Sequence, residues 1–167
     1  MSESVDVLVV GGGMVGSAFA LLLKQGNPAL KIRVIDAERS VEPEPDAAFS
    51  LRVSALNQSS EAIIAQAGCA QGYSQLRQCR FQRMQVWDAE GTGAVSFSAD
   101  DIQSSHLGTL VENAAVQALL MHALGDSLRI ARVQNLQRLH QGWQVTLDDG
   151  RILRPTLLVG ADGALSR

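Results

Sequence analysis

The chain has 167 residues, about the size of one domain, and is long enough to bury a hydrophobic core without disulfides or metals. Hydrophobic residues make up 46% of it and charged residues 19%, which excludes a disordered or fibrous protein. The net charge of −3 argues against a nucleic-acid binder, because such proteins cluster Lys and Arg.

Cysteine and histidine spacing indicates no metal site, because Cys69 and Cys79 are ten positions apart and the three histidines show no ligand spacing. Residues 7–23 are uncharged, but four glycines interrupt them and acidic residues precede them. Both facts argue against a signal peptide and against a membrane-spanning helix. We therefore expect a cytoplasmic protein, with peripheral contact to the inner membrane left open.

The first forty residues predict a strand, a helix and a second strand. Residues 5–10 are β-branched and nearly all apolar, which is typical of a strand buried on both faces of a parallel sheet. Helix-forming residues follow at 14–25, and Gly-Asn-Pro at 26–28 ends that helix. Residues 32–36 predict a second strand that ends in a carboxylate, Asp36.

The strand-to-helix turn carries Gly11-x-Gly13-x-x-Gly16, a dinucleotide-binding pattern. We expect Gly11 to permit the tight turn, Gly13 to let a pyrophosphate approach, and Gly16 to pack the helix on the strand. Asp36 follows Gly16 by 20 positions and is placed to accept hydrogen bonds from a ribose. Because its carboxylate would repel a 2′-phosphate, NADP is disfavoured at this site. The motif does not distinguish NAD from FAD, and a merely structural glycine turn is the alternative.

The rest of the chain does not continue the strand–helix alternation of a simple NAD-binding domain. It predicts a helix that ends near residue 67, capped by Ser54 or Asn57 and ended by Gly68. A hairpin, or two strands of a second sheet, follows over 81–98. A strand at 107–111, a helix at 113–124 and a strand at 128–133 come next. A meander over 134–153 and a separate buried strand from 155 into a glycine turn at 160–163 complete it. This pattern favours an FAD-binding domain.

Four sequence blocks then carry a family resemblance. They are Val-Leu-Val-Val-Gly-Gly-Gly-Met-Val-Gly at 7–16, Arg-Val-Ser-Ala-Leu at 52–56, Met-Gln-Val-Trp-Asp at 84–88 with Leu-Gly-Thr-Leu-Val-Glu-Asn at 107–113, and Leu-Val-Gly-Ala-Asp-Gly-Ala at 158–164. Together they resemble the FAD-dependent aromatic hydroxylases of ubiquinone biosynthesis, a branch of the para-hydroxybenzoate hydroxylase-like flavoprotein monooxygenases. Among these, the chain looks most similar to the polyprenylphenol hydroxylases.

The resemblance implies an α/β fold: a Rossmann-like FAD-binding domain with a βαβ unit and an antiparallel meander, plus the start of a substrate-domain sheet. Residues 1–80 and 106–167 would form the FAD-binding domain, incomplete at its C-terminus, and 81–105 the first strands of the substrate domain. The implied cofactor is FAD, with NADPH as co-substrate and a polyprenylated phenol as substrate. Other ubiquinone-biosynthesis proteins are the implied protein partners, and no nucleic acid is expected.

The resemblance also assigns cofactor contacts beyond the glycine turn. Arg52 would reach the FAD phosphates or the flavin, Asn113 the ribityl–pyrophosphate region, and Val133 the adenine through its backbone. Asp162 and Gly163 would help to hold the pyrophosphate and the incoming NADPH. The alternatives are a solvated loop charge for Arg52, a helix N-cap for Asn113 and an ordinary turn at 162–163. The full implied set is Gly11, Gly13, Met14, Val15, Gly16, Asp36, Ala37, Arg52, Asn113, Val133, Asp162 and Gly163.

In this family NADPH reduces FAD, and the reduced flavin activates O₂ to hydroxylate an electron-rich ring, so we name no catalytic acid or base. Family members are much longer and carry a second motif, Gly-Asp followed by His. The only Gly-Asp here, at 125–126, precedes Ser-Leu-Arg and predicts a loop before a strand. We expect the N-terminal part of a hydroxylase, ending atypically at 161–167, which alone binds FAD weakly or not at all and does not hydroxylate. The alternatives are an NAD-binding oxidoreductase and a non-catalytic truncated flavoprotein module.

Overall fold

A computed structural model describes residues 2–44 and 46–163, so that Ala164, the last residue of the fourth sequence block, lies outside the described residues. The helices are α1 Met14–Gly26, α2 Gln58–Ile64, α3 Ala70–Gln75 and α4 Asn113–Leu124. The strands are β1 Ser2–Val10, β2 Ile32–Asp36, β3 Val53–Asn57, β4 Gln78–Phe81, β5 Arg83–Trp87, β6 Ala94–Ser98, β7 Gly108–Glu112, β8 Leu128–Ile130, β9 Val133–Arg138, β10 Trp143–Leu147 and β11 Ile152–Gly160.

The main sheet has six strands in the order β8-β2-β1-β11-β10-β9. Strands β8, β2, β1 and β11 are parallel, and β10 and β9 continue the sheet in antiparallel pairing. The sequence prediction of a Rossmann-like α/β fold with a βαβ unit and an antiparallel meander is therefore confirmed.

Strand β1 lies at the centre of this sheet and is buried on both faces, as its continuous apolar sequence predicts. Val7 and Val9 face one side, where they join the core formed with helices α1 and α4. Leu8 faces the other side and packs in a second core with Leu147 and Leu153 of the meander. Two hydrophobic cores thus hold the carboxyl ends of the parallel strands in place.

The last strands differ from the sequence prediction at two points. The predicted strand at 128–133 ends at Ile130, and Val133 begins β9 instead. The predicted break before Pro155 is wrong, because β11 runs without interruption from Ile152 to Gly160 and Pro155 lies opposite Val5 of β1. Strand β10 pairs with β11 at residues 152–153, where the other edge of β11 already pairs with β1, so β11 joins the meander to the parallel strands.

The helical segment after β3 is longer than predicted. The side-chain oxygen of Asn57 accepts a hydrogen bond from the Ser60 N–H at 2.9 Å, so Asn57 is the cap and Ser54 is not. Gly68 has a φ of +81°, which interrupts the helix in a π-helical turn, Ala65–Cys69. The helix does not end there as predicted, because the chain continues into α3.

Two smaller sheets complete the described fold. Strands β3, β7 and β4 form one of them, in which β3 and β4 were not predicted from the sequence. Strands β5 and β6 form the predicted hairpin, with Met84 opposite Phe97, in a separate two-stranded sheet. The assignment of 81–105 to a substrate domain stays a prediction. In the described part of the chain, no helix is both long and apolar enough to cross a membrane.

Candidate functional site

A cleft of about 830 Å³ opens where the carboxyl ends of β1, β2 and β11 meet. This is the edge of an open parallel sheet at which α/β proteins bind their ligands. The start of β9 and one residue of α4, Gln117, also line this cleft. Seven of the residues implied by the resemblance line this cleft: Gly11, Gly13, Asp36, Ala37, Val133, Asp162 and Gly163.

The glycine turn has the geometry that its spacing predicts. Gly11 has a φ of +107°, and a Cβ there would overlap the backbone of Ala161. A Cβ on Gly16 would overlap the carbonyl oxygen of Gly11, so α1 packs directly against the turn. A Cβ on Gly13 would meet no atom within 4 Å, which leaves open space on the cleft side of the turn.

The N-terminus of α1 presents free backbone donors at this point. Gly13 is the N-cap and has no side chain to bond them, and its carbonyl accepts the first helical hydrogen bond, from the Ser17 N–H at 2.9 Å. The N–H groups of Met14, Val15 and Gly16 therefore have no acceptor inside the helix. The side chain of Met14 is half-buried and that of Val15 is exposed. Together with the helix dipole, these N–H groups favour an anion.

Asp36 stands at the end of β2 with its carboxylate fixed by two backbone donors. Its Oδ2 accepts the Gly12 N–H at 2.6 Å and its Oδ1 accepts the Glu38 N–H at 3.0 Å. Each carboxylate oxygen has a further lone pair, so Asp36 can still accept from ligand hydroxyls. Gly12 was not singled out from the sequence, yet a Cβ on it would lie 2.9 Å from Cε of Met121 and 3.2 Å from Cβ of Asp36.

Arg52 and Asn113 lie outside the cleft lining and next to each other. The Asn113 N–H donates to the Arg52 carbonyl at 3.2 Å, and the Asn113 Oδ1 accepts from the Ser54 hydroxyl at 2.8 Å. Glu112, and not Asn113, is the N-cap of α4, so the capping alternative for Asn113 is wrong. Arg52 is exposed, and the predicted contacts of both residues with a cofactor remain predictions.

A buried ion pair beside Asn113 was not found from the sequence. The Glu112 side chain is 3% exposed and lies 2.8 Å from the Arg77 guanidinium, which also donates to the Ala47 carbonyl at 2.6 Å. Glu112 Oε1 accepts the Ser50 N–H at 2.7 Å, and Arg77 stacks over the Phe49 ring at 4.6 Å. The pair thereby anchors the segment that leads to Arg52. The sequence pointed to this ion pair only in that Glu112 belongs to the Val-Glu-Asn block.

A second concavity of about 490 Å³ lies beside α2 and contains a polar network. His106 Nε2 lies 3.0 Å from Oε2 of Glu61, and the Tyr73 hydroxyl donates to Oε1 of Glu61 at 3.3 Å. Burial raises the pKa of Glu61, but hydrogen bonds and the charge of His106 outweigh it and lower the pKa below its ordinary 4.5. Burial and the neighbouring Glu61 raise the pKa of Tyr73 to about 12, so its hydroxyl stays protonated.

This network predicts an acid-dependent loss of stability. Because the folded state lowers the pKa of Glu61, the carboxylate stabilises the fold above the unfolded pKa, and this contribution disappears as the pH falls through the folded pKa. Urea unfolding from about pH 6 down to about pH 3 measures it. We expect Glu61→Gln to flatten the decline relative to the unchanged protein. Equal slopes for both proteins would contradict the assignment.

The sheet order, the Gly-x-Gly-x-x-Gly turn and the acidic residue at the end of β2 define a Rossmann-like dinucleotide-binding fold. Solved structures of flavin enzymes share it. The chain superimposes on HpxO of Klebsiella pneumoniae complexed with FAD with a TM-score of 0.69 and 21% identity, over 97% of this chain and 40% of that one. For RebC, a rebeccamycin biosynthetic enzyme with reduced flavin, the TM-score is 0.69 and the identity 20%, over 99% and 34%.

Sequence relatives narrow the class. The chain is 32% identical to 3-demethoxyubiquinol 3-hydroxylase of Escherichia coli K12, over 99% of this chain and 43% of that protein. It is 30% identical to the human mitochondrial ubiquinone biosynthesis monooxygenase COQ6, over 95% and 37%. No protein-family model matches the chain.

The resemblance stated from the sequence is confirmed, because these curated relatives are ubiquinone-biosynthesis hydroxylases and the chain matches their N-terminal part. The chain spans less than half the length of each of these two relatives.

Proposed function

We propose that this chain holds the adenosine diphosphate half of FAD in a flavoprotein monooxygenase that hydroxylates a polyprenylated phenol in ubiquinone biosynthesis. The observation that carries the proposal is the cleft itself, which combines a bare helix N-terminus at Gly13 with the anchored carboxylate of Asp36. The names of the curated relatives supply the reaction class. NADPH as the reductant rests on the family resemblance alone.

The donors and acceptors in the cleft match the chemistry of an adenosine diphosphate. The open space at Gly13 and the free N–H groups of α1 suit the diphosphate, which needs close backbone approach and hydrogen-bond donors. Asp36 suits a ribose, whose hydroxyls need acceptors. Val133, half-buried at the start of β9, offers an apolar wall and backbone groups for the adenine.

When bound, FAD supplies the redox chemistry and the activation of O₂. The residues of this chain bind and orient the cofactor. Arg52 and Asn113 lie outside the adenosine cleft, and we assign them to the part of the cofactor beyond the diphosphate, where the anchored loop holds Arg52. This assignment agrees with their roles in the resembled family.

Competition binding tests the proposal directly. We expect FAD fluorescence to change on addition of the protein, with weak affinity, and ADP to displace the FAD, whereas FMN does not compete because it lacks the adenosine half. NADPH is not expected to be oxidised by this chain with any phenol. Binding of NADH without any response to FAD or ADP would favour the NAD-dependent alternative and contradict the proposal. Tight FAD binding with substrate-dependent NADPH oxidation would overturn the prediction that this chain alone is inactive.

A further inference from the structure

We propose that the side-chain amide of Gln117 is a further ligand of the adenosine diphosphate moiety, acting beside Asp36 where the ribose joins the diphosphate. Gln117 is the residue of α4 that lines the cleft, and neither the glycine motif nor the family resemblance drew attention to it. The inference rests on the proposed function, because it requires that this cleft holds an adenosine nucleotide.

Gln117 lies on α4 one turn before Met121 and lines the same cleft as Gly13 and Asp36. Met121, one turn further along the same face of α4, is buried against the turn, since its Cε would lie 2.9 Å from a Cβ on Gly12. Gly12 in turn donates to the carboxylate of Asp36. The Ser40 hydroxyl, in the segment that follows β2, donates to the Ala114 carbonyl at 3.1 Å and so holds the start of α4 beside that segment.

The amide of Gln117 is half-buried and has unused hydrogen-bonding capacity. Among the described residues, none forms a hydrogen bond with this side chain. A partly buried polar group of this kind gains free energy when a ligand supplies the missing partner. Met121, four residues later on the same face of α4, is apolar and buried in the core. The polar residue on this face of the helix is therefore the one that lines the cleft.

The amide complements the carboxylate of Asp36 and the N-terminus of α1. An ionised Asp36 accepts hydrogen bonds only, and the N–H groups of α1 only donate them. The ribose hydroxyls and oxygens adjoining the diphosphate need both, and Gln117 offers two N–H donors and one carbonyl acceptor. Its neutral charge also avoids repulsion of the diphosphate, which a second carboxylate would cause.

Two substitutions at Gln117 test the inference by calorimetric titration of the protein with ADP and with adenosine. We expect Gln117→Leu to weaken ADP binding on the order of tenfold, the usual effect of losing one hydrogen bond to a ligand. Gln117→Glu should weaken ADP more than adenosine, and lowering the salt concentration should widen that difference. A purely structural role would not produce this dependence on ligand charge. Gln71→Leu, an exposed glutamine on α3, is the matched control and should bind both ligands normally.

The outcomes separate this inference from the proposed function. If the unchanged protein binds ADP and both Gln117 variants bind it equally well, the inference is wrong and the proposed function stands. If Gln117→Glu loses ADP and adenosine to the same extent at every salt concentration, the amide does not adjoin the diphosphate and the inference is also wrong. If the folded, unchanged protein binds no adenosine nucleotide, both fail together. Urea unfolding of each variant confirms that it is folded.

Discussion

Replacing Glu112 with alanine is expected to lower the free energy of unfolding by about 3–5 kcal/mol. The Glu112 carboxylate is almost fully buried and accepts hydrogen bonds from both the Arg77 guanidinium and the Ser50 N–H. Its loss removes the Glu112 side of an ion pair with Arg77, whose side chain is only 25% exposed. It also releases the segment that the pair holds through Ala47 and Phe49. Urea unfolding at neutral pH measures the change.

Two controls show whether the buried charge is the cause. Glu38→Ala removes an ion pair to Arg132 in which the side chains are 83% and 65% exposed, and should cost less than about 1 kcal/mol. A double variant, Glu112→Leu with Arg77→Met, removes both charges of the pair together and should be more stable than Glu112→Ala, which removes only one of them. A Glu112→Ala loss no larger than that of Glu38→Ala would show that the pair does not stabilise the fold.

Two substitutions in the glycine turn are expected to affect stability differently while both abolish ADP binding. Gly16→Ala places a methyl group on the carbonyl oxygen of Gly11, so α1 must move away from the turn, with a loss of roughly 1–3 kcal/mol and loss of ADP binding. Gly13→Ala meets open space at a φ of −61°, which any residue adopts, so stability should be kept. ADP binding should still be lost, because the methyl group occupies the space proposed for the diphosphate.

Unfolding in urea and ADP titration, applied to both variants, separate these effects. Gly150→Ala, in the turn between β10 and β11, is a useful comparison, because its φ of +77° predicts destabilisation without any effect on a ligand at the distant turn. If Gly13→Ala binds ADP as well as the unchanged protein, no diphosphate lies over Gly13.

The sequence predicted those parts of the fold in which local pattern and tertiary burial agree. The bounds of β2 and α4 match the predicted residues and α1 is one residue longer, whereas β1, predicted from an apolar run at 5–10, begins earlier, at Ser2. The break before Pro155 was wrong, because proline disfavours strands in general and only the pairing of β11 with β1 shows that this one is tolerated. The continuation past Gly68 into α3 was missed for a similar reason, since a glycine can either end or interrupt a helix.

The candidate site was predictable where one motif contains all the interacting residues. Gly11, Gly13 and Gly16 lie within six positions, and the spacing to Asp36 is a property of the βαβ unit. The Arg77–Glu112 pair joins residues 35 positions apart, and nothing in either local sequence indicates burial of the charge. Gln117 looked like an ordinary helix residue, and only the packing of α4 against the turn reveals that it faces the cleft.

The assignment of the cleft to the adenosine half of FAD is tested most directly by an NMR titration of the ¹⁵N-labelled protein with ADP, which reports the binding position amide by amide. We expect the largest shifts at residues that line the cleft, including the backbone amides of Gly13, Ala37 and Val133 and the side-chain amide of Gln117. The second concavity, marked by the Glu61–His106 pair, should be unaffected. Shifts concentrated at that second concavity, or none at the glycine turn, would contradict the assignment of the cleft to the adenosine half of FAD.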